Sequence, residues 1–336
     1  MVLLKKNIPS FAQNIIKYNR RSIPPSQIQD NLSQEFQDAQ THLNDCAAAS
    51  SRWRFARPEK CKELIAVEKI GRIGVVHMQG LRPQMEDYHI ATQLTFSIKS
   101  LIYSIPLYGI FDGHGGVACA RYLAKNLARY LKLHLETALT LTNSIDEEDV
   151  AIFNVLKLAF VDLGANYRKF YRGEGGSTAN IAIIFKNQLW VANVGDTRAI
   201  LVASGKVIAL SEDAKPGLEK YRKGVETRHS TVIDVDGVPR VGGNLATARA
   251  VGHSETHSGV NPRSKIIKYP LNQLTEGKNY LIIACDGLWD VASSIEVAKT
   301  VQKISHLSPE EIASFLARKA FEAESSDNLS VLVVAL

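Results

Sequence analysis

Asp112, Asp196 and Asp286 each follow an apolar, strand-like run: Tyr108-Gly109-Ile110-Phe111, Trp190 to Val194, and Tyr280 to Cys285. Met85-Glu86-Asp87 and Ser326-Asp327-Asn328 add further acids along the chain. A strand end beside a tight glycine turn holds a carboxylate rigidly at the rim of a sheet. Several such rims meeting at one place make a set of hard oxygen ligands, which suits Mg²⁺ or Mn²⁺ rather than zinc. A single aspartate in such a turn reads as a turn or cap residue. The series reads as a metal centre.

The strings around these acids have a specific order. Gly80-Leu81-Arg82-Pro83-Gln84-Met85-Glu86-Asp87 is followed by Asp112-Gly113-His114-Gly115-Gly116 and Gly176-Ser177-Thr178-Ala179. Asn193-Val194-Gly195-Asp196-Thr197-Arg198, Ala284-Cys285-Asp286-Gly287-Leu288-Trp289-Asp290 and Asp327-Asn328-Leu329-Ser330-Val331 come next. Any one string is a weak signal, and the ordered set is specific. From about Ile73 to Ala335 the chain resembles the metal-dependent protein phosphatases of the protein phosphatase 2C family.

The resemblance implies roles residue by residue. Asp112 would bridge two Mg²⁺ or Mn²⁺ ions, with the Gly113 carbonyl on one of them. Asp286 and Asp327 would complete the other ion's shell, and Glu86 would contact the metals largely through water. Asp196, with Asp286, would hold a weaker third ion. Arg82 would bind the substrate phosphate, as a guanidinium fork matches two phosphate oxygens. His114 would be the general acid, since an imidazole near neutral pH can protonate a departing Ser or Thr alkoxide. Two ions about 3.5–4 Å apart can activate a shared water for in-line attack on phosphorus. The alternative readings are a surface salt bridge for Arg82 and a loop-capping role for His114.

Two departures from the family pattern stand out. Asp213-Ala214-Lys215-Pro216 carries Ala214 where the family usually has His, and Arg249-Ala250-Val251-Gly252-His253 carries His253 where it usually has Asp. The stretch Gly217 to Val241 looks short and altered for a substrate-side flap. His253 replaces a carboxylate at the edge of the site, which predicts weaker metal binding and a preference for Mn²⁺. His253, Glu255 and His257 alternate, and read either as a private metal site or as a solvent-facing loop. Cys285 beside Asp286 reads as a small buried hydrophobe and not a nucleophile.

Composition bounds the rest. The chain has 336 residues, 45% hydrophobic and 22% charged, as in a globular protein with a sizeable core. No apolar run approaches the roughly 18 residues of a membrane span, and Val2-Leu3-Leu4 is too short for a secretory signal. Cys46, Cys61, Cys119 and Cys285 form no close pair and have no His at finger-like spacing. Reduced thiols in a cytoplasmic setting are the expectation. Of the net charge of +6, residues 1–66 carry +4 (ten basic, six acidic) and the other 270 carry +2. A near-neutral core argues against nucleic acid as its partner. Lys5, Lys6, Lys17, Arg20 and Arg21 precede the first acid, Asp30. This basic N-terminus reads as an organelle-targeting, membrane-surface or partner-contacting segment, or as a solvated tail or extra helix.

The elements that must position these residues follow from periodicity. Residues 1–62 read as a polar, helical or partly ordered extension broken at Pro24-Pro25, and 63–336 as the catalytic domain. Strands are expected at Val75-Val76, Tyr88 to Ala91, Leu107 to Phe111, Ala179 to Phe185, Gln188 to Val194, Ala199 to Ala203 and Leu329 to Ala335. Lys186-Asn187 reads as a two-residue hairpin turn, and Ser204-Gly205 as another tight turn. Helices are expected over Gly116 to Leu139, Asp149 to Tyr171, Ile295 to Ile304 and Pro309 to Ala323. Ser308 would cap the last of these. Hairpin strands and antiparallel helix pairs suggest an α+β fold with sheet packed on sheet and helices outside; the resemblance implies a four-layer α-β-β-α sandwich. The activity it implies is hydrolysis of phosphoserine and phosphothreonine in proteins. A pseudophosphatase that binds phosphoproteins with weak or no turnover remains the alternative because of Ala214 and His253.

Overall fold

The computed structural model describes residues 24–46, 64–70, 72–171, 175–253, 259–274 and 276–336. Helix α1 (Pro25–Cys46) comes first. Pro25 stands at its first position, where the missing N–H has no intrahelical partner to lose. Strands β1 (Leu64–Ile70), β2 (Ile73–Met78), β3 (Tyr88–Ile98) and β4 (Leu101–Phe111) follow, then the two-residue β5 (Gly113–His114). Helices α2 (Ala118–Thr140) and α3 (Ile145–Phe170) form an antiparallel pair. Next come β6 (Gly176–Ser177), β7 (Ala179–Phe185), β8 (Gln188–Val194), β9 (Arg198–Ala203) and β10 (Lys206–Ala209). Helix α4 (Glu219–Thr227) and the hairpin β11 (Val232–Val235) and β12 (Val238–Val241) make a flap. The chain closes with β13 (Lys265–Pro270), β14 (Asn279–Ala284), α5 (Asp286–Trp289), α6 (Ser294–Lys303), α7 (Pro309–Glu322) and β15 (Leu329–Ala335).

Two antiparallel sheets result, ordered β1-β2-β15-β14-β9-β10 and β13-β8-β7-β4-β3. The central strands β7, β8, β9, β14 and β15 are buried on both faces. In β14, Tyr280 and Ile282 pack toward α6 and α7, while Leu281 and Ile283 pack between the sheets. Val75, Ile110, Val191, Leu201 and Leu332 share that inter-sheet layer. Leu123, Leu127 and Leu131 of α2 and Leu156 and Phe160 of α3 cover the outer face of the five-stranded sheet. Val297, Val301, Ile312 and Leu316 of α6 and α7 cover the other. The α-β-β-α sandwich is the expected architecture.

Local chemistry sets the boundaries. Lys186 and Asn187 sit at φ +46° and +62°, and Lys99 and Ser100 at +48° and +69°. Both pairs make the two-residue turns whose twist matches antiparallel strands. The second lengthens β3 and β4 to eleven residues each, beyond the short runs read from the sequence. Helix α3 starts four residues before the expected Asp149, because the Ser144 side chain caps it by accepting from Glu147 N–H. Ser308 and Glu311 form the expected capping box on α7, and Ser293 and Glu296 form a second on α6. By length and composition alone α3 could cross a membrane, but Ala151, Ile152, Val155 and Phe160 bury its apolar face in the core.

Helix α1 lies against the sandwich. Ile28 and Leu32 join the α2/α3 core, and Ala39 and Leu43 join the inter-sheet core. Gln40 exchanges two hydrogen bonds with the Ala209 backbone, 2.7 and 3.3 Å, covering the edge of β10. The basic segment before Pro24 lies outside the described residues, as does Cys61.

Candidate active site

The acids converge because their strands end at one rim. Asp112 follows β4 directly, and its backbone is clamped to Thr178: its N–H meets Thr178 Oγ1 at 3.3 Å and its carbonyl accepts from Thr178 N–H at 2.8 Å. Gly113 must be glycine, since a Cβ there would stand 2.4 Å from the Glu86 carbonyl. Glu86 in turn accepts from Gly116 N–H at 3.1 Å. Asn328 ties the ends of the chain together, accepting from Glu86 N–H at 2.8 Å and donating to the Gln79 and Gln84 carbonyls. Asp286 opens α5 right after β14. Asp327 holds Arg82, Nη2 to Oδ2 2.7 Å.

One cleft of about 810 Å³ is lined by Arg82, Glu86, Asp112, Gly113, His114, Asp196, Asp286 and Asp327. All eight residues singled out in the sequence therefore border the same space. Val238, Pro239 and Arg240 of the flap form another part of its wall.

Burial first, and neighbouring charge second, hold Asp112, Asp196, Asp286 and Asp87 above the ordinary carboxylate range. Burial, then the charges of Asp286, Asp87, Asp196 and Asp327, raises Asp112 well above it. Asp286 and Asp196 are each pushed to about 6 by burial, against the opposing pull of Lys215. Asp87 is pushed to about 7 by burial, against its Ser330 hydrogen bond. Such a cluster calls for cations. Among the described residues, no three His, Cys, Asp or Glu side chains close around a single point as a ready metal cage. Spaced oxygen donors beside an open cleft fit an ion that keeps several waters, as Mg²⁺ does, and do not fit zinc.

Asp196 and Asp286, expected to share a weaker third ion, both contact the Lys215 ammonium, at 2.6 and 3.6 Å. Asp290 is also 3.6 Å from it. Lys215 stood in the Asp-Ala-Lys-Pro string without a role, and its motif position was the signal that could have found it. Thr178 and Asn328 act by holding the backbone of Asp112 and Glu86, which spacing does not reveal.

The two departures land in different places. Ala214 is buried in the flap's root with Tyr221, Val225, Val241 and Ala248, while Asp213 makes a bidentate pair with Arg198, 2.9 and 2.5 Å. His253 is not among the residues lining the cleft with the acids. Its Nε2 lies 2.6 Å from His114 Nε2, and the two rings stack with centroids 4.8 Å apart. Glu255 and His257 lie outside the described residues. Cys285 is buried and its thiol is raised well above the usual range, first by burial; it donates to the Asn328 carbonyl at 3.3 Å, as a packing thiol does.

Residues 71–329 match the family model of protein phosphatase 2C. The chain belongs to the protein phosphatase 2C family. It is 36% identical over 261 residues to probable protein phosphatase 2C 52 of Oryza sativa subsp. japonica, which covers 78% of this chain and 50% of that protein. Probable protein phosphatase 2C 76 of Arabidopsis thaliana is 34% identical over 265 residues, 78% of this chain and 58% of its own. The chain thus spans about half the length of these two family members. Probable protein phosphatase 2C 45 of Oryza sativa subsp. japonica is covered over 86% of its length at 35% identity. A phosphatase structure from a pathogenic strain of Toxoplasma gondii aligns with a TM-score of 0.63 at 23% identity, over 82% of this chain and 96% of that one. That likeness bears on the fold, and it agrees with the protein phosphatase 2C sandwich described above.

Proposed function

We propose that the chain hydrolyses phosphoserine and phosphothreonine in proteins at a centre of two Mg²⁺ or Mn²⁺ ions. The observation that carries this reading is the meeting of Glu86, Asp112, Asp196, Asp286 and Asp327 in one cleft with Arg82 and His114. Asp112, the Gly113 carbonyl, Asp286 and Asp327 would hold the ions, with Glu86 acting on their waters. Bound there, the ions would supply an activated water and offset the charge of the phosphoryl group.

The chain's own residues do the rest. Arg82 stands at the rim with its guanidinium steadied by Asp327, placed to take two phosphate oxygens. His114 borders the cleft and would give a proton to the departing seryl or threonyl oxygen. Lys215 holds Asp196 and Asp286 in place with its charge, and the third-ion role of Asp196 would require that ammonium to leave. The changes at Ala214 and His253, which favoured a binding-only alternative, leave each of these acids in the cleft. Residues 63–336 would form the phosphatase unit, and α1 would brace it.

The test is release of phosphate from phosphothreonine peptides by the full chain, with Mn²⁺, with Mg²⁺ and with excess EDTA. Turnover with metal and none with EDTA is expected. Full activity under chelation would overturn the metal centre, and tight peptide binding without turnover would restore the binding-only alternative.

A further inference from the structure

The pairing of His114 with His253 is built, not incidental. Strand β5 pairs with β6, setting His114 opposite Gly176. Ser177, the next residue of β6, exchanges both backbone hydrogen bonds with Val251, 3.0 and 2.9 Å. This short three-way pairing carries the chain past Gly252 and brings His253 onto His114. Gly252 turns at φ +99°, and a Cβ there would stand 2.5 Å from Cys119 Sγ. Gly176 leaves room for both rings: a Cβ on it would lie 2.4 Å from His253 Nε2 and 2.7 Å from His114 Nε2. His114 borders the cleft, and His253 is not among its lining residues.

We propose that His253 is a positioning residue for the reaction, holding the His114 ring against the cleft wall by stacking and by an imidazole-to-imidazole hydrogen bond. This rests on the phosphatase reading. The 2.6 Å contact needs an N–H on one ring and a lone pair on the other. The tautomer of one ring therefore dictates that of its partner. With Nε2 engaged by His253, the proton for the leaving oxygen is the one His114 carries on Nδ1 when its ring is protonated, and a ring fixed in this way presents it without a search over orientations. His253 is not among the residues that line the cleft, and its hydrogen bond and stacking to His114 give it a route to the reaction. On this reading the substitution of His for the family's usual Asp bears on the proton donor, and an unchanged Mn²⁺ half-saturation in the variants would separate this from the metal effect expected from the sequence.

The experiment uses the full chain carrying His253→Leu, His253→Gln, His114→Ala, or His114→Ala with His253→Leu, each checked for folding by thermal melting. kcat is measured at saturating Mn²⁺ on a phosphothreonine peptide and on an aryl phosphate, whose acidic leaving group needs no proton. His253→Leu is expected to lose about tenfold or more on the peptide, with a smaller loss on the aryl ester and the same KM and Mn²⁺ half-saturation. His253→Gln, which keeps a polar atom at the contact, should recover part of the loss. The double variant should be no slower than His114→Ala. Equal losses on both substrates, multiplying losses in the double variant, or a change confined to metal half-saturation would overturn the proposal. The shared N–H···N proton gives a readout independent of turnover: a downfield imidazole proton in the NMR spectrum, lost in His253→Leu and in His114→Ala. If the wild type turns nothing over, the phosphatase reading fails, and this resonance alone then decides the pairing; its absence from the wild type overturns it.

Discussion

At the scale of the residue, the site is a store of mutual repulsion. Asp112 sits in the field of Asp286, Asp87, Asp196 and Asp327, and its carboxyl is raised well above its ordinary range by burial and by those charges. A raised carboxylate destabilises the metal-free fold as pH climbs, since the unfolded chain gives up its proton first. Asp112→Asn removes that penalty together with a ligand. The metal-free variant should therefore melt at or above the wild type at pH 8, yet gain little from Mn²⁺ and show almost no turnover. Thermal melts with and without Mn²⁺ check both halves, and a full Mn²⁺ shift in the variant would remove Asp112 from the ligand set. Arg82 stands outside this store, exposed and paired to Asp327. Arg82→Ala should mainly raise KM for phosphopeptides, several-fold or more, with a smaller effect on kcat. Steady-state kinetics decide it, and a loss confined to kcat would count against a phosphate-binding role.

At the scale of the element, the layers approach so closely that a single methyl group is felt. Gly74 of β2 lies under the start of α7, where a Cβ would stand 2.2 Å from the Glu310 backbone nitrogen and 2.3 Å from the Pro309 carbonyl carbon. Backbone cannot swing aside as a side chain can. Gly74→Ala should cost about 3 kcal/mol or more, read as a drop in the urea midpoint. A stability within 0.5 kcal/mol of wild type, on the order of a neutral surface change, would show that α7 can shift. Elements of this kind were legible where the signal is local. The Lys186-Asn187 turn, the Ser308 cap and the strand Leu329 to Ala335 depend on neighbours within a few residues, and the structure has them where the sequence put them. The acids were legible as a set because Asp112, Asp196 and Asp286 follow strands and Glu86 and Asp327 lie just ahead of them. The partner of His253 was not, since it is fixed by a pairing of β5, β6 and Val251 that spans 139 residues between the two rings. The Lys215 ammonium between Asp196 and Asp286 had a motif position to mark it but no spacing that shows its partners. A charge chosen by three-dimensional neighbours leaves no periodic mark.

At the scale of the molecule, the helix layers hide ionisable groups far from the cleft. His134 on α2 is buried, and burial pulls it down to about 4. Above pH 6.5 it is neutral in both states and costs nothing. As pH falls below 6.5 the unfolded chain takes the proton first, so stability declines until about pH 4, where the folded ring takes it as well. His134→Gln should flatten the stability–pH curve across that window by one proton, about 1.4 kcal/mol per pH unit. Urea titrations of both proteins at several pH values test this, and parallel curves would mean that the ring titrates normally in the fold. Helix α1 belongs to this scale too. Asp38 reaches Lys220 of the flap helix at 3.1 Å, and His42 lies 3.8 Å from Asp213. Removing residues 1–46 should lower the melting temperature by several degrees through the exposed seats of Ile28, Leu32 and Leu43. It should leave every acid of the cleft in the chain, and an unchanged melting temperature would show that the helix contributes nothing to the fold. The strand order has a consequence in time. In the six-stranded sheet β2, an early strand among the described residues, is flanked by the much later β15, with Val75 paired to Leu332, and Asp327 lies just ahead of that strand. A chain still on the ribosome can gather its α2/α3 half early, but the other half stays open down its middle until residue 335 has emerged. On the phosphatase reading, synthesis itself would act as a safety catch: a chain stopped before residue 327 holds Arg82 and most of the acids, yet lacks both Asp327 and the strand that would hold it in place.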